Sequence, residues 1–138
     1  MPKKFPKKVN YVPAIGRRKR AVARIRLFKS KGDTLVNDLA IDKYFPGEIF
    51  KSLYLEPFKT CNVLDKYYAT IKVSGSGKNG QLGAVILGLS RALVKVNEEK
   101  FRPLLKKKGF LTRDPRKRER RKVGMGGKAR RKRQSPKR

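Results

Sequence analysis

The sequence predicts an α+β domain with a basic extension at each end, and three observations predict it. Two segments, Arg20–Phe28 and Lys66–Val73, alternate apolar and other residues with period two, which marks strands with one buried face. One segment, Gln81–Val96, places apolar residues at i, i+3, i+4 and i+7, which marks an amphipathic helix. The charge is segregated. The 138 residues hold 39 Lys and Arg against 10 Asp and Glu, a net charge of +29. Residues 1–26 hold 10 basic and no acidic residues, residues 27–102 hold 12 and 8, and residues 103–138 hold 17 and 2. The middle therefore has the charge balance of an ordinary domain. The ends carry an excess that a fold gains nothing from, and it implies a polyanionic partner.

In order along the chain, residues 1–8 read as a disordered basic arm of prolines and lysines. The domain is expected over residues 9–114, with a basic tail over 115–138. Val9–Ile15 suits a short strand, and Gly16–Arg20 a solvated basic segment. In the strand from Arg20 to Phe28, Ala21, Ala23, Ile25 and Leu27 share the buried face. Arg20, Val22, Arg24 and Arg26 share the other, so its cations stand about 6.6–6.8 Å apart, close to the phosphate spacing of an RNA strand. A charged sheet edge that resists aggregation is the plainer reading of those arginines.

Ser30–Asp33 carries Gly and Asp, as a hairpin turn would, and Thr34–Asn37 is expected to return from it as the next strand. Ile41–Tyr54 suits one or two short helices broken at Pro46-Gly47, with Phe45, Ile49, Phe50, Leu53 and Tyr54 in the core. In Lys66–Val73, Tyr67, Ala69, Ile71 and Val73 face inward, and Tyr68, Thr70 and Lys72 outward. A glycine-rich loop, Ser74–Gly80, leads into the helix Gln81–Val96. A shorter helix is expected near Glu98–Lys107, or from Pro103, ending at Gly109. Asp114-Pro115 has the form of an N-cap and first helical residue, and a brief helical turn is expected there.

Residue types limit the chemistry. There is no His, and the single Cys61 can form no intrachain disulfide and completes no zinc motif. It is expected to be a small buried or semi-buried residue. Gly75-Ser76-Gly77-Lys78-Asn79-Gly80 matches G-x-G-x-x-G between a strand and a helix, the setting of a dinucleotide site. No strand precedes the acids that follow it, Glu98 and Glu99, and no second βαβ half remains. The loop is either a tight turn or, with free helix amides and Lys78, a phosphate site. Without His, and with no carboxylates at motif spacing, catalysis has no apparent machinery. No cofactor or small-molecule substrate is expected. No segment of about 18 apolar residues exists to span a membrane, and the basic N-terminus lacks the apolar stretch of a secretory signal, so a cytoplasmic protein is expected.

The tail is the strongest sign of function. Arg116, Lys117, Arg118, Arg120, Arg121 and Lys122 are followed by Lys128, Arg130, Arg131, Lys132, Arg133, Lys137 and Arg138, with Gly124, Gly126 and Gly127 as bending points. Too apolar-poor to bury a core, it is expected to be disordered alone and to fold on nucleic acid. Extended, Pro115–Arg138 spans roughly 80 Å. Charge alone does not separate an RNA-binding protein from one that compacts DNA. An enzyme using the glycine-rich loop for a nucleotide is the remaining, weaker alternative.

The ordered motifs separate these readings. Gly16-Arg17-Arg18-Lys19-Arg20-Ala21-Val22-Ala23-Arg24, Val36-Asn37 followed by Lys43-Tyr44-Phe45, and Val73-Ser74-Gly75-Ser76-Gly77-Lys78-Asn79-Gly80-Gln81 occur in that order. Gly88-Leu89-Ser90-Arg91-Ala92-Leu93, Gly109-Phe110-Leu111-Thr112-Arg113-Asp114, Glu119-Arg120-Arg121-Lys122-Val123-Gly124 and Lys128-Ala129-Arg130-Arg131 follow. Over roughly residues 9–138 the chain resembles the ribosomal small-subunit protein nine family. The resemblance implies a ribosomal S5 domain 2-like fold, a mixed sheet backed by helices, with a long extended basic tail. It implies binding to small-subunit rRNA in the subunit head beside neighbouring head proteins. It also implies a tail that reaches peptidyl-site tRNA at the anticodon-loop backbone. Carried over by position, Arg17, Arg18, Lys19, Arg20, Arg24, Arg26, Lys78, Arg113 and the basic residues from Arg116 to Arg133 would hold rRNA. Lys137 and Arg138, with Arg133 nearby, would meet tRNA. Two positions depart from the family pattern. Ser76 stands where the loop usually has Gly. The chain ends Gln134-Ser135-Pro136-Lys137-Arg138 where the family usually has an aromatic and then Ser-Lys-Arg.

Overall fold

The computed structural model describes residues 10–131. The arm read at residues 1–8 and the tail positions Lys132, Arg133, Lys137 and Arg138 lie outside the described residues. Within them a mixed five-stranded sheet is formed by β1 (Val12–Arg18), β2 (Ala21–Phe28), β3 (Leu35–Val36), β4 (Leu39–Ala40) and β5 (Tyr68–Ser74). Its spatial order is β1-β2-β5-β3-β4, and only the β3–β5 pair is parallel. The helices are α1 (Ile41–Tyr44), α2 (Glu48–Thr60), α3 (Lys78–Val96) and α4 (Glu98–Lys107). The α+β class, with a mixed sheet and helices, is the one expected.

β1 and β2 form a hairpin closed by Lys19-Arg20, with Arg18 opposite Ala21 and Gly16 opposite Ala23. Lys19 supplies the left-handed backbone of this tight turn, at φ +53°. The strand thus runs to Arg18, where a solvated segment from Gly16 was expected. Glycine is what makes the strand possible there. A Cβ at Gly16 would lie 1.8 Å from the Ala84 carbonyl oxygen and 2.5 Å from the Gly88 nitrogen of α3. A Cβ at Gly88 would in turn lie 2.5 Å from Ile25 Cδ1. Two glycines therefore let helix backbone rest almost directly on strand backbone.

β2 takes β5 as its second neighbour, with Ala23 opposite Val73, Ile25 opposite Ile71 and Leu27 opposite Ala69. The segment after Ser30–Asp33 consequently does not return beside β2, as its turn residues suggested. Both sides of β2 are occupied, and β3 crosses to the far side of β5. Asn37 fixes it there. Its backbone N–H donates to the Ile71 carbonyl at 2.9 Å. Its side-chain amide donates to the Val73 carbonyl and accepts from the Val73 N–H, both at 2.9 Å. A side chain thus extends the parallel ladder by one step. Asn37 (φ +48°) and Asp38 (φ +68°) turn the chain into β4, which the sequence reading did not contain.

The inner sheet face buries Ala14, Ala21, Ala23, Ile25, Leu27, Ala69, Ile71 and Val73 beneath α3. α3 is buried more widely than one stripe, because Ala84, Leu87, Gly88 and Ser90 join Leu82, Val85, Leu89, Ala92 and Leu93. It is covered by the sheet on one side and by α2 and α4 on others. α2 buries Tyr54, Pro57 and Phe58, but Ile49 and Leu53, expected in the core, are exposed, since α2 turns them away from α3. The Tyr54 hydroxyl donates to Asp42 and so ties α2 to α1. Burial first, then this bond and the Asp42 charge, push its pKa up.

α4 begins at Glu98, not Pro103, because the Asn97 side chain accepts the Lys100 N–H at 3.1 Å. It ends as expected at Gly109, φ +76°, with Gly109 N–H donating to Lys106 and Phe110 N–H to Leu105. Cys61 is buried, and burial raises its thiol pKa, which suits packing rather than reactivity.

Gly16→Ala should cost about 3 kcal/mol or more, since neither backbone can yield, and should lower the thermal midpoint by more than about 10 °C. A melt followed by circular dichroism checks this. Gly77→Ala, where an added Cβ meets nothing within 4 Å, should stay within a few degrees of the parent.

Candidate nucleic-acid interface

The glycine-rich loop and the β1–β2 turn frame the first basic surface. Tyr44 of α1 donates its hydroxyl to Gln81 Oε1 at 2.7 Å and accepts from the Asn37 amide at 3.3 Å. Gln81 Nε2 donates to the Gly75 carbonyl at 3.1 Å. This relay holds the loop from β5 to α3 against the β1–β2 turn. Gly75 (φ +81°) lies so near that an added Cβ would sit 2.4 Å from the Arg20 carbonyl oxygen. Ser76 adopts φ +55°, which a glycine would reach without strain. Its Oγ would lie 2.6 Å from a Cβ at Gly80. The loop is followed by α3 and α4 and by no further strand among the described residues. The second half of a dinucleotide fold is therefore absent from them.

Lys19, Arg20 and Ser76 form one wall of an open cleft, and Lys117, Arg118, Arg120 and Arg121 form the other, with Glu119 beside them. Six basic residues named from the sequence thus meet at one place. Lys78 does not join them. Its ammonium donates to the Tyr44 carbonyl at 3.1 Å and lies 3.3 Å from the Tyr44 ring centroid. It is exposed but tethered towards α1.

Asp114 sets where the tail leaves the domain. No helical turn follows it. Its carboxylate accepts the Arg116 N–H at 3.0 Å, two residues on, and grips the Arg116 guanidinium at 2.7–3.0 Å. The carboxylate thus closes a turn on the Arg116 amide and is otherwise occupied by its guanidinium, and the chain does not continue as a helix. Arg18 reaches the same carboxylate at 3.4 Å by laying its side chain across Gly83. The Arg116 hydrogen bonds, and to a lesser degree the Arg18 charge, hold the Asp114 pKa far below the usual carboxylate range. Arg18 is thereby half-buried and structural as well as basic.

Beyond Pro115 the described tail contains no helix or strand. Its described part bends back on itself. Glu119 pairs with Lys122 at 3.3 Å and Arg130 at 3.0 Å, and the Lys122 N–H donates to the Lys128 carbonyl. Gly124, Gly126 and Gly127, all at positive φ, make the turn between. Arg130 and Lys122 lower the Glu119 pKa. Arg118, Arg121 and Lys128 line a second shallow concavity here. Arg113 and Arg131 are exposed.

Arg24 and Arg26 are elsewhere, on the outer sheet face, which no described helix covers. Register puts Arg24 between Ile15 and Lys72, and Arg26 between Pro13 and Thr70. Lys72 is paired with Asp38. Arg17 is exposed one step along β1. Tyr68 was expected on this face, but the sequence reading did not place Tyr11 and Phe28 there. Period two from Arg24 and Arg26 would have found Phe28. It also missed Arg91 and Lys95, which donate to the Ile15 and Pro13 carbonyls at 2.9 and 2.7 Å and so cap the open edge of β1.

The family described as Ribosomal protein S9/S16 matches residues 16–138. The chain is 48% identical over 113 residues to the small ribosomal subunit protein uS9 of Amoebophilus asiaticus, covering 82% of this chain and 88% of that one. It is 44% identical over 122 residues to the uS9 of Leifsonia xyli subsp. xyli (87% and 73%). It is 45% identical over 113 residues to the uS9 of Anaeromyxobacter sp. (82% and 86%). This chain belongs to the ribosomal protein S9/S16 family.

Two outcomes check the tail geometry. Asp114→Ala should release Arg116 and speed tryptic cleavage at Arg116 and Lys117 several-fold, with the domain's melting midpoint little changed. On acidification, a depressed folded pKa means these contacts persist as pH falls through the ordinary carboxylate range near about 4 and are lost only below it. Carboxyl chemical shifts of Asp114 and Glu119 followed by NMR should therefore titrate below those of free carboxylates.

Proposed function

We propose that this protein is a structural constituent of the small ribosomal subunit that holds small-subunit rRNA, acting by binding and not by catalysis. One observation carries the reading. Within a chain of this family, the hairpin turn and the tail converge their cations on a single open cleft beside the glycine-rich loop. Phosphates are the ligands such a cleft suits. In this reading the domain has the ribosomal S5 domain 2-like fold and sits in the subunit head beside other head proteins, within cytoplasmic ribosomes. Lys19, Arg20, Lys117, Arg118, Arg120 and Arg121 grip the backbone at the cleft. Arg17, Arg18, Lys78 and Arg113 supply charge around it, and Arg24 and Arg26 extend contact over the sheet. Arg116, Lys122, Lys128, Arg130, Arg131, Lys132 and Arg133 continue it along the tail. Lys137 and Arg138, with Arg133, screen the anticodon-loop phosphates of peptidyl-site tRNA.

Affinity for small-subunit rRNA measured against salt tests this. Neutralising about ten phosphates should give a log–log slope of roughly −7 to −9, and removing residues 115–138 should flatten it by more than half. Selective retention of one folded RNA over DNA of equal charge is expected. Equal affinity for both would refute the ribosomal reading. Deleting Pro136–Arg138 should weaken peptidyl-site tRNA on reconstituted subunits and leave rRNA binding intact, whereas unchanged tRNA affinity would remove the tail's role.

A further inference from the structure

We infer that the open face of the sheet is a site for unpaired nucleotides, whose bases stack on Tyr11 and Ile15 while their phosphates lie on Arg24 and Arg26. This rests on the RNA-binding reading above and names the kind of RNA segment that one face of the domain takes.

The face is built from two similar units. Register sets Ile15 directly beside Arg24. The Arg26 guanidinium lies 5.2 Å from the Tyr11 ring centroid. Each unit joins an exposed apolar group to an exposed cation. Ile15 is 45% and Tyr11 41% exposed, and both line a groove with Pro13, Thr70 and Lys72. A charged face whose only task was to stay in solution would need the arginines and not these two residues. No described segment covers them, because α3 packs on the inner face and α2 and α4 pack against α3.

The Tyr11 ring is held in place before any partner arrives. It leans on Phe28 at 5.8 Å and 55°, and Phe28 stacks on Tyr68 at 4.8 Å and 11°. A fixed ring loses little entropy on stacking a base. The occupant follows from charge and shape together. The face presents Arg24 and Arg26 about 6.6–6.8 Å apart, and the acid near it, Asp38, is matched by Lys72. A polyanion fits this, and an apolar protein surface would leave the arginines uncompensated. Within a duplex the base faces are already stacked on one another, so an aromatic ring and an isoleucine gain only from bases that are splayed out.

The test measures affinity of the full chain for a short single-stranded RNA and for a duplex of equal length, across salt. Tyr11→Ala should weaken single-strand binding by roughly five- to a hundredfold, without changing the salt slope and without affecting the duplex. Tyr11→Phe should restore it. Arg24→Gln should instead flatten the single-strand slope by about 0.7 for one lost phosphate contact. No change in single-strand affinity with Tyr11→Ala, or an equal loss on the duplex, overturns the inference. Because Tyr11 precedes β1 and is exposed, the fold should survive. Should it not, a photo-crosslinking residue placed at position 11 in assembled small subunits decides. Attachment to unpaired rRNA nucleotides supports the inference, and attachment to paired rRNA or to a neighbouring protein overturns it. A wild-type chain that neither binds small-subunit rRNA nor enters subunits would bring down the functional reading as well, an outcome distinct from failure of Tyr11→Ala alone.

Discussion

The backbone contact between β1 at Gly16 and α3 at Ala84 and Gly88 is the constraint from which the rest of the structure follows. A helix normally stands off a sheet by the width of the side chains that fill the gap. Here alanines and glycines take that role. Ala21, Ala23, Ala69, Ala84 and Ala92 are all buried in the same core. Close approach brings the start of α3 down to the β1–β2 turn. Only then can Gly75 pack on the Arg20 carbonyl, and Gly83 provide a groove for Arg18. The basic cleft is thus a consequence of how small the core residues are.

The same logic explains why polar residues recur among the motifs shared with the family. Asn37, Tyr44 and Gln81 direct their side chains to partners within the chain. They form one relay that ties β3 to β5, α1 to α3, and α3 to the glycine-rich loop. Such partly buried networks are stable when every member is satisfied, and they fix geometry better than apolar contact does. Lys78 belongs to this group too, since its charge rests on the Tyr44 ring and carbonyl. A basic residue that opens the helix after a glycine-rich loop is therefore not by itself a phosphate ligand.

What was legible in the sequence was what periodicity reports. The buried faces of β2 and β5, the body of α3 and the end of α4 at Gly109 followed from alternation, helical spacing and glycine. Sheet order was not legible. Ser30–Asp33 has the residues of a hairpin turn, and nothing local reveals that β2 already has two neighbours. β4 was lost because two residues are too few for any period, and its turn rests on Asn37 and Asp38 rather than on glycine. The burial of Gly16 was hidden among arginines, because a small residue's role depends on what approaches it. The site was legible as charge and not as geometry. Which cations converge on the cleft, and which are spoken for by Asp114, Glu119 or Tyr44, depends on contacts between segments far apart in the chain.

Those two acids show how a segment of such charge is given a shape. The 17 basic residues after residue 102 repel one another, and that segment's own acids are Asp114 and Glu119 alone. Each holds two cations, Arg18 with Arg116 and Lys122 with Arg130. The first fixes the tail's point of departure, and the second bends it at the glycines. Exposed ion pairs of this kind contribute little in water. That weakness suits the task. A strong pair would withhold its cations from a phosphate, whereas these yield them at small cost once a denser anion is near. The carboxylates thus bias the unbound tail towards one path without competing for the partner that the proposed function requires.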